Sequence, residues 1–205
     1  MVGRGKVDLR TRRRDAVSAS GTRPLRADAR RNRERLLEVA VSAFSSDGDA
    51  TLESIAKAAG VGIGTLYRHF PTREALIEAT YRHELDRLCD SVPALLDELA
   101  PEQAFRAWLD RFIDYLNTKH GMADALRAVI ASGGDPFKHS RDRLVGAMTT
   151  LLGAATRAGV FRTDITAIDL LMALSGLPLA CDDPEQRERT DRLINLLVDG
   201  LRYRP

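Results

Sequence analysis

The 205-residue chain contains only two cysteines and few aromatic residues, and it has no long apolar run. Cys89 and Cys181 lie far apart, so the sequence predicts reduced packing thiols rather than a disulfide framework, with a redox pair as the weaker alternative. A membrane span is not predicted because no run of about 18 apolar residues occurs. The N-terminus also lacks the apolar segment of a secretory signal. We therefore expect a cytoplasmic protein without a membrane partner.

Residue patterns that carry catalysis or bind metals are also missing. Gly62 and Gly64 follow a helical segment rather than a strand, so they do not predict a nucleotide-binding loop. No nucleophile and base stand at a spacing that indicates catalysis. The histidines lack metal-ligand spacing: His69, His83, His120 and His139. The sequence predicts no enzyme activity, metal or cofactor, and a helical enzyme stays as a less favoured alternative.

Charge is distributed unevenly along the chain, although its net value is only +2. Residues 1–35 contain 12 Lys and Arg against 4 Asp and Glu, a net charge of +8, and the remainder carries −6. This asymmetry is typical of a DNA-binding protein with a separate domain that does not touch DNA. Residues 1–26, rich in Arg, Gly and Ser, are predicted to be a disordered basic arm that adds phosphate or minor-groove contacts. A solubilising tail is the alternative.

Apolar residues recur at helical spacing, and alternating runs typical of strands are missing. We therefore predict an all-α protein of about nine helices. A three-helix helix-turn-helix DNA-binding domain is expected at residues 27–71, with a helical regulatory and dimerisation domain at 72–205. The fourth predicted helix, Thr72 to Ser91, would join the two domains. The seventh is expected to start at Pro136 and end near Ala158.

The stretch from Thr51 to Phe70 holds two short helical patterns around a tight turn. Gly60 follows the first pattern, at a position that favours a residue able to adopt positive φ. In the second pattern, Leu66 and Phe70 share one face and leave polar groups on the others. This arrangement predicts a helix-turn-helix whose second helix enters the DNA major groove. A plain helical hairpin inside a core is the alternative.

The segment from Gly64 to Leu76, GTLYRHFPTREAL, is very similar to the signature of TetR-family transcriptional repressors. The similarity extends over about Ala29 to Leu88. It implies a homodimer that binds a palindromic double-stranded DNA operator and is released by an unknown small-molecule effector. It also implies that Ile63, Gly64, Thr65 and Tyr67 face the groove, and that Thr51, Tyr67, His69 and Arg73 contact phosphates.

The chemistry of these residues agrees in part with the resemblance. Thr51 opens a helix, and free amide groups at a helix N-terminus bind phosphate. Gly62 and Gly64 allow the backbone to approach DNA closely but read no base. Ile63 offers an apolar contact only, so Arg68 is the best polar candidate for base reading, although it could equally reach a phosphate. The operator sequence therefore cannot be derived, and a nonspecific architectural DNA-binding protein remains an alternative.

The predicted regulatory domain offers two further sets of candidates. Inward-facing apolar residues are candidates for a ligand pocket, with core packing as the simpler role for each: Trp108, Phe112, Met122, Leu126, Met148, Leu152 and Leu174. The last two predicted helices are apolar over more of their circumference than one intramolecular contact needs. Burial inside one chain is the simpler explanation, whereas the resemblance implies a four-helix dimer interface made from two copies of this pair, which we favour. Its candidate residues are Leu170, Leu177, Leu193, Leu197 and Leu201.

Overall fold

A computed structural model of the protein describes residues 22–46, 50–176 and 184–202. Within these residues the structure is helical, and the only β-type pairing is an isolated antiparallel bridge between Phe161 and Arg202. The all-α prediction is confirmed. The helices of the described residues are α1 (Thr22–Ser46), α2 (Leu52–Ala58), α3 (Ile63–His69), α4 (Arg73–Asp90), α5 (Val92–Glu98), α6 (Pro101–Gly121), α7 (Ala123–Ala131), α8 (Ser140–Arg157), α9 (Ala167–Ser175) and α10 (Pro184–Leu201).

The first helix begins earlier than the sequence pattern predicted. Residues 22–26, assigned to the basic arm, form the first turn of α1. Pro24 is compatible with this because the first amide groups of a helix have no intrahelical partner, so its missing N–H costs nothing there. The rest of the predicted arm, residues 1–21, lies outside the described residues.

The predicted linking helix from Thr72 to Ser91 is followed by a further short helix, α5, that the sequence pattern did not reveal. The α4 helix ends at Asp90, and the Ser91 hydroxyl donates a hydrogen bond to the Leu88 carbonyl at 2.7 Å. Pro93 lies in the first turn of α5. Because proline lacks an amide hydrogen, it interrupts the hydrogen-bond ladder of α4 but suits the start of a new helix.

The helix predicted as the seventh corresponds to α8, and it starts at Ser140 rather than at Pro136. The Phe137 amide donates to Asp135 Oδ1 at 3.1 Å, and the Ser140 amide donates to the Phe137 carbonyl at 2.9 Å. A short aspartate side chain that captures a backbone amide two residues on stabilises a turn in place of a helix. This turn presents the Phe137 ring to Tyr81, edge to face, with centroids 5.2 Å apart.

The body is built around α4, α6 and α8, and the buried aromatic residues of α4 and α6 lie at the centre of its core. Trp108 of α6 is fully buried, and its Nε1 donates to the Leu88 carbonyl of α4 at 3.2 Å. Its ring stacks on Phe112, with centroids 5.3 Å apart. The indole N–H thus has a hydrogen-bond partner and the ring is packed. The hydrogen bond to Leu88 holds α6 against α4.

The helix-turn-helix region is joined to the body through α1 as well as through α4. A Cβ placed on Gly121, the last residue of α6, would stand 3.0 Å from the Ser45 carbonyl oxygen of α1. That approach is tighter than most real Cβ contacts, so a side chain at this position would push α1 and α6 apart by a few tenths of an ångström. The two regions therefore pack as neighbours along the C-terminal ends of α1 and α6.

The C-terminal helices are fixed at their ends by polar contacts. Thr166 and Asp169 form a reciprocal capping box at the start of α9. Arg202, at the end of α10, forms an ion pair with Glu102 of α6 at 2.8 Å. The Arg162 amide donates to the Leu201 carbonyl at 2.8 Å. No helix of the described ranges is long and apolar enough to cross a membrane.

Candidate DNA-binding site and regulatory cavity

The turn between α2 and α3 has the hydrogen bonds of a Schellman motif. The Val61 amide donates to the Ala56 carbonyl at 3.0 Å, and the Gly60 amide donates to Lys57 at 3.1 Å. Gly60 has φ of 67°, so the prediction that it occupies a position of positive φ is confirmed. At the other end of α2, the Thr51 hydroxyl caps the helix by accepting from the Ser54 amide at 3.1 Å. Local hydrogen bonds thus fix both ends of α2.

The α3 helix packs against the rest of its domain through one face and leaves the opposite face exposed to solvent. Leu66 and Phe70 are 0% and 3% exposed, as their shared face predicted. On the opposite face, Ile63 is 38% and Tyr67 is 45% exposed, so these large apolar groups are only partly covered by the rest of the protomer. Such a face is suited to contact with another molecule.

The two glycines at the start of α3 leave its backbone accessible. A Cβ placed on Gly62 or Gly64 would meet no other atom within 4 Å. Neither glycine has positive φ, so the backbone itself does not require glycine here. Neither the packing nor the backbone conformation of this protomer therefore requires glycine at these two positions.

The polar residues predicted to bind DNA are placed at different depths. Arg68 is exposed on α3, whereas Thr65 and His69 are half-buried. The centroids of the His69 and Phe70 rings lie 6.1 Å apart, so His69 is at the edge of the buried contact that Phe70 makes. Of these three, Arg68 has the freest access to an external partner.

Arg73 has a role inside the protein that the sequence did not reveal. Its guanidinium carbon lies 5.0 Å from the centroid of the Phe44 ring on α1, and its Nη1 donates to the Ala50 carbonyl. Arg33 takes a similar position over Phe70, at 5.4 Å. These cation–π contacts join α1 to the segment that follows the recognition helix, at Phe70 and Arg73. The charge of Arg73 is thus combined with a structural function.

A cavity of about 350 Å³ lies in the body between α4, α6, α8 and α9. Of the seven residues predicted to line a pocket, only Phe112 lines this cavity. The other six are buried in the core, between 0% and 8% exposed: Trp108, Met122, Leu126, Met148, Leu152 and Leu174. Helical periodicity identifies inward-facing residues, but those that point straight at the core pack closely and leave no space.

Polar groups that the sequence reasoning missed line the cavity. The hydroxyl oxygens of Tyr81 and Tyr115 lie 2.5 Å apart, and the Tyr81 hydroxyl donates to Ser140 Oγ at 3.0 Å. Burial raises the pKa of Tyr115 above its usual range, with a further contribution from Tyr81, so the phenol is neutral. Lys119 lies with its Nζ 4.6 Å from the centroid of the Phe137 ring, and burial lowers its pKa.

The surface of α9 and α10 differs from the predicted dimer interface. Leu170 and Leu201 are 4% and 3% exposed, so they pack inside the protomer and are corrected to core residues. A fully buried side chain has no surface to offer a partner. Leu193 and Leu197 are half-buried, and Leu177 lies outside the described residues. The exposed large apolar residues of these helices are Ile168, Met172 and Leu196.

Comparison with known proteins matches both parts of the chain to one family. Residues 36–80 match the family described as bacterial regulatory proteins, tetR family. Residues 100–203 match the family described as transcriptional regulator SbtR-like, C-terminal domain. A 64-residue segment is 39% identical to an HTH-type transcriptional regulator of Staphylococcus aureus (strain USA300), covering 30% of this chain. That segment spans 35% of the length of this curated relative.

Two crystal structures extend the similarity to most of the chain. A TetR transcriptional regulator from Streptomyces coelicolor is 57% identical, with a TM-score of 0.79, over 84% of this chain and 99% of that one. A TetR transcription regulatory protein from Mycobacterium vanbaalenii is 33% identical, with a TM-score of 0.74, over 88% and 100%. Together with the anchored and outwardly open α3 helix, these matches show that the chain belongs to the TetR family of transcriptional regulators, which bind DNA and are not enzymes.

Proposed function

We propose that the protein binds a palindromic operator as a homodimer, represses transcription from it, and leaves it when a small molecule occupies the cavity. The observation that carries the proposal is the outer face of α3, where Ile63 and Tyr67 are exposed beside two glycines with open space above them. A helix whose first turn can approach the base edges this closely is suited to the major groove.

Dimerisation is supported by the uncovered surface of α10. Leu196 is 70% exposed, whereas Ile194 and Val198 on the other face of the same helix are 5% and 0% exposed. The helix is thus apolar both towards its own core and away from it, which is typical of an element packed on two sides. Two copies would also supply the two recognition helices that a two-fold operator needs.

A response to a ligand is supported by the position of α4. This helix carries Arg73 at its helix-turn-helix end and Tyr81 in the cavity wall. The two residues are eight positions apart, which is about 12 Å along a helix. A ligand that moves Tyr81 therefore acts on the same rigid element that holds the loop before α2. It shifts the equilibrium only if it binds the DNA-bound and free shapes unequally.

Selection of bound DNA from a random pool in moderate salt tests the proposal. We expect enrichment of one palindrome, two protomers per site, and lower transcription of a reporter that carries this site. Equal binding of random DNA would support an architectural protein, and raised transcription would indicate an activator. The Tyr67→Ala variant should lose about 1–3 kcal/mol of operator binding, whereas Tyr67→Phe retains the exposed ring without its hydroxyl and so separates an apolar contact in the groove from a phosphate contact.

A further inference from the structure

The charged groups of the cavity are all positive. Lys119 of α6 and Arg141 of α8 line it, and no aspartate or glutamate does. Neither residue takes part in an ion pair with any carboxylate of the described ranges. The cavity therefore offers positive charge that the described part of the protein itself leaves uncompensated.

Lys119 is the residue for which this lack of a counter-charge matters. Its side chain is half-buried against the Phe137 ring, and burial lowers its pKa. An ammonium group withdrawn from water is stabilised by an opposite charge, and one anion is enough to supply it. Arg141 is exposed at the surface end of the cavity, where water solvates its guanidinium. The cavity is therefore suited to a ligand that carries a single negative group.

Hydroxyl groups on the α4 and α6 walls, and at the start of α8, complete the polar side of the cavity. Tyr81, Tyr115 and Ser140 form one hydrogen-bonded cluster and line the same space as Lys119. With Tyr115 donating to Tyr81 and Tyr81 donating to Ser140, the Ser140 hydroxyl hydrogen is left to donate to an anion, and hydrogen bonds to a charged acceptor are stronger than neutral ones. This hydroxyl and the Lys119 ammonium group suit the two oxygens of a carboxylate.

The remaining wall is predominantly apolar and sets the shape of the rest of the ligand. Phe112, Leu116, Leu144 and Leu171 contribute side chains to it. The volume of about 350 Å³ is at the small end of the range for ligand sites, roughly 300–1,000 Å³. A small molecule with an apolar body and one polar end fits this division.

We infer that the cavity binds a small amphipathic monocarboxylate, with its carboxylate at Lys119 and the hydroxyl cluster and its apolar body between α6 and α8. This inference rests on the proposed function, in which the same cavity is the effector site. It adds the chemical class of the effector, set by one half-buried ammonium without an acidic partner among the described residues.

Isothermal titration calorimetry with matched acid and amide pairs tests the inference. The probes are nonanoate and phenylbutyrate, each beside its uncharged primary amide. We expect both acids to bind at least about tenfold more tightly than their amides, because a hydrogen bond to a charged group is worth more than a neutral one. Equal affinity of acid and amide, or no binding of either acid, would overturn the inference.

Variants locate the interaction at Lys119. Lys119→Met should weaken acid binding about tenfold to hundredfold and leave amide binding unchanged. Lys119→Arg retains the charge and should restore part of the acid affinity. Lys138→Met removes an exposed lysine that does not line the cavity and should change neither affinity. Circular dichroism confirms that each variant is folded, and unchanged acid binding by folded Lys119→Met would overturn the assignment.

Operator release separates this inference from the proposed function. Fluorescence anisotropy of the selected operator is followed while each probe is added. Acid binding without release overturns the ligand response but supports the chemical class of the ligand. Release by the amides, with no response to the acids, supports the ligand response and overturns the class.

Discussion

Tyr81 of α4 and Tyr115 of α6 share a buried hydrogen bond between hydroxyl oxygens 2.5 Å apart, and Tyr81 also donates to Ser140 of α8. Three helices that are distant in sequence thus meet at one polar cluster inside an apolar core. The same cluster lines the cavity, and α4 continues from it to the helix-turn-helix. Stability of the body and occupancy of the cavity therefore depend on the same hydroxyl groups.

Removal of the Tyr81 hydroxyl should destabilise the protein. In Tyr81→Phe the hydroxyls of Tyr115 and Ser140 lose a buried partner, which costs about 1–3 kcal/mol in the free energy of unfolding. Urea denaturation measures this difference. Tyr67→Phe is the control, since its ring is 45% exposed and its stability should change by less than about 0.5 kcal/mol. Equal stability of Tyr81→Phe and the wild type would contradict a structural role for the cluster.

Alanine at Gly64 and at Gly60 should have opposite effects on stability. Gly64→Ala places its methyl group in open space and favours the helix by about 0.5–1 kcal/mol. Gly60→Ala forces a side chain into positive φ, at a cost of about 1–2 kcal/mol. Although more stable, Gly64→Ala should bind the operator more weakly because its methyl group blocks close approach. Urea denaturation and anisotropy measure the two effects, and wild-type affinity would show that DNA does not approach Gly64.

Loss of Arg73 should affect both folding and DNA binding. Arg73→Ala removes the contact with Phe44 and the hydrogen bond to Ala50, which together contribute about 1–2 kcal/mol. If Arg73 also contacts a phosphate, the variant binds selected and random DNA more weakly by the same factor. Arg73→Lys retains the charge but not the planar fork, so it separates the two roles. A loss confined to one operator would argue against a phosphate contact.

A charge at Leu196 should separate the protomers of the proposed homodimer. Leu196→Glu changes a 70% exposed side chain, so each protomer should keep its stability while the dimer dissociates. The cause is the cost of burying an unpaired carboxylate at the interface. Sedimentation velocity measures the assembly state. Ile130→Glu on α7, where the native side chain is 48% exposed, is the matched control and should remain dimeric. Identical assembly of both variants would refute this interface.

Cys89 should react slowly with alkylating reagents at neutral pH. Burial raises the pKa of its thiol to about 11, and the nearby Arg143 offsets only part of this effect. At pH 8 roughly one thiol in a thousand is then the reactive thiolate, and the rate should rise with pH up to about 11. Mass spectrometry of the Cys181→Ser variant follows Cys89 alone, with the urea-unfolded chain as control. Equal rates in the folded and unfolded chains would contradict the prediction.

The local structure of the helix-turn-helix was predictable because its signals are local. The spacing of Leu66 and Phe70, and the glycine at position 60, are consequences of helix geometry and backbone φ within about ten residues. The second role of Arg73 was not predictable in this way. It depends on Phe44, which reaches Arg73 only after α1 has packed beside α4.

The sequence by itself determined an all-α fold with a helix-turn-helix near its N-terminus, since periodicity and turn chemistry act over a few residues, and its resemblance to the TetR-family signature indicated a regulator. Only the tertiary structure decided which apolar residues leave a cavity and which fill the core. Phe112 lines the cavity while its stacking partner Trp108 is fully buried. The two residues share one face of α6, and periodicity reports the face of a helix but not its depth in the core. Depth depends on the neighbouring helices, and those are brought together only by folding.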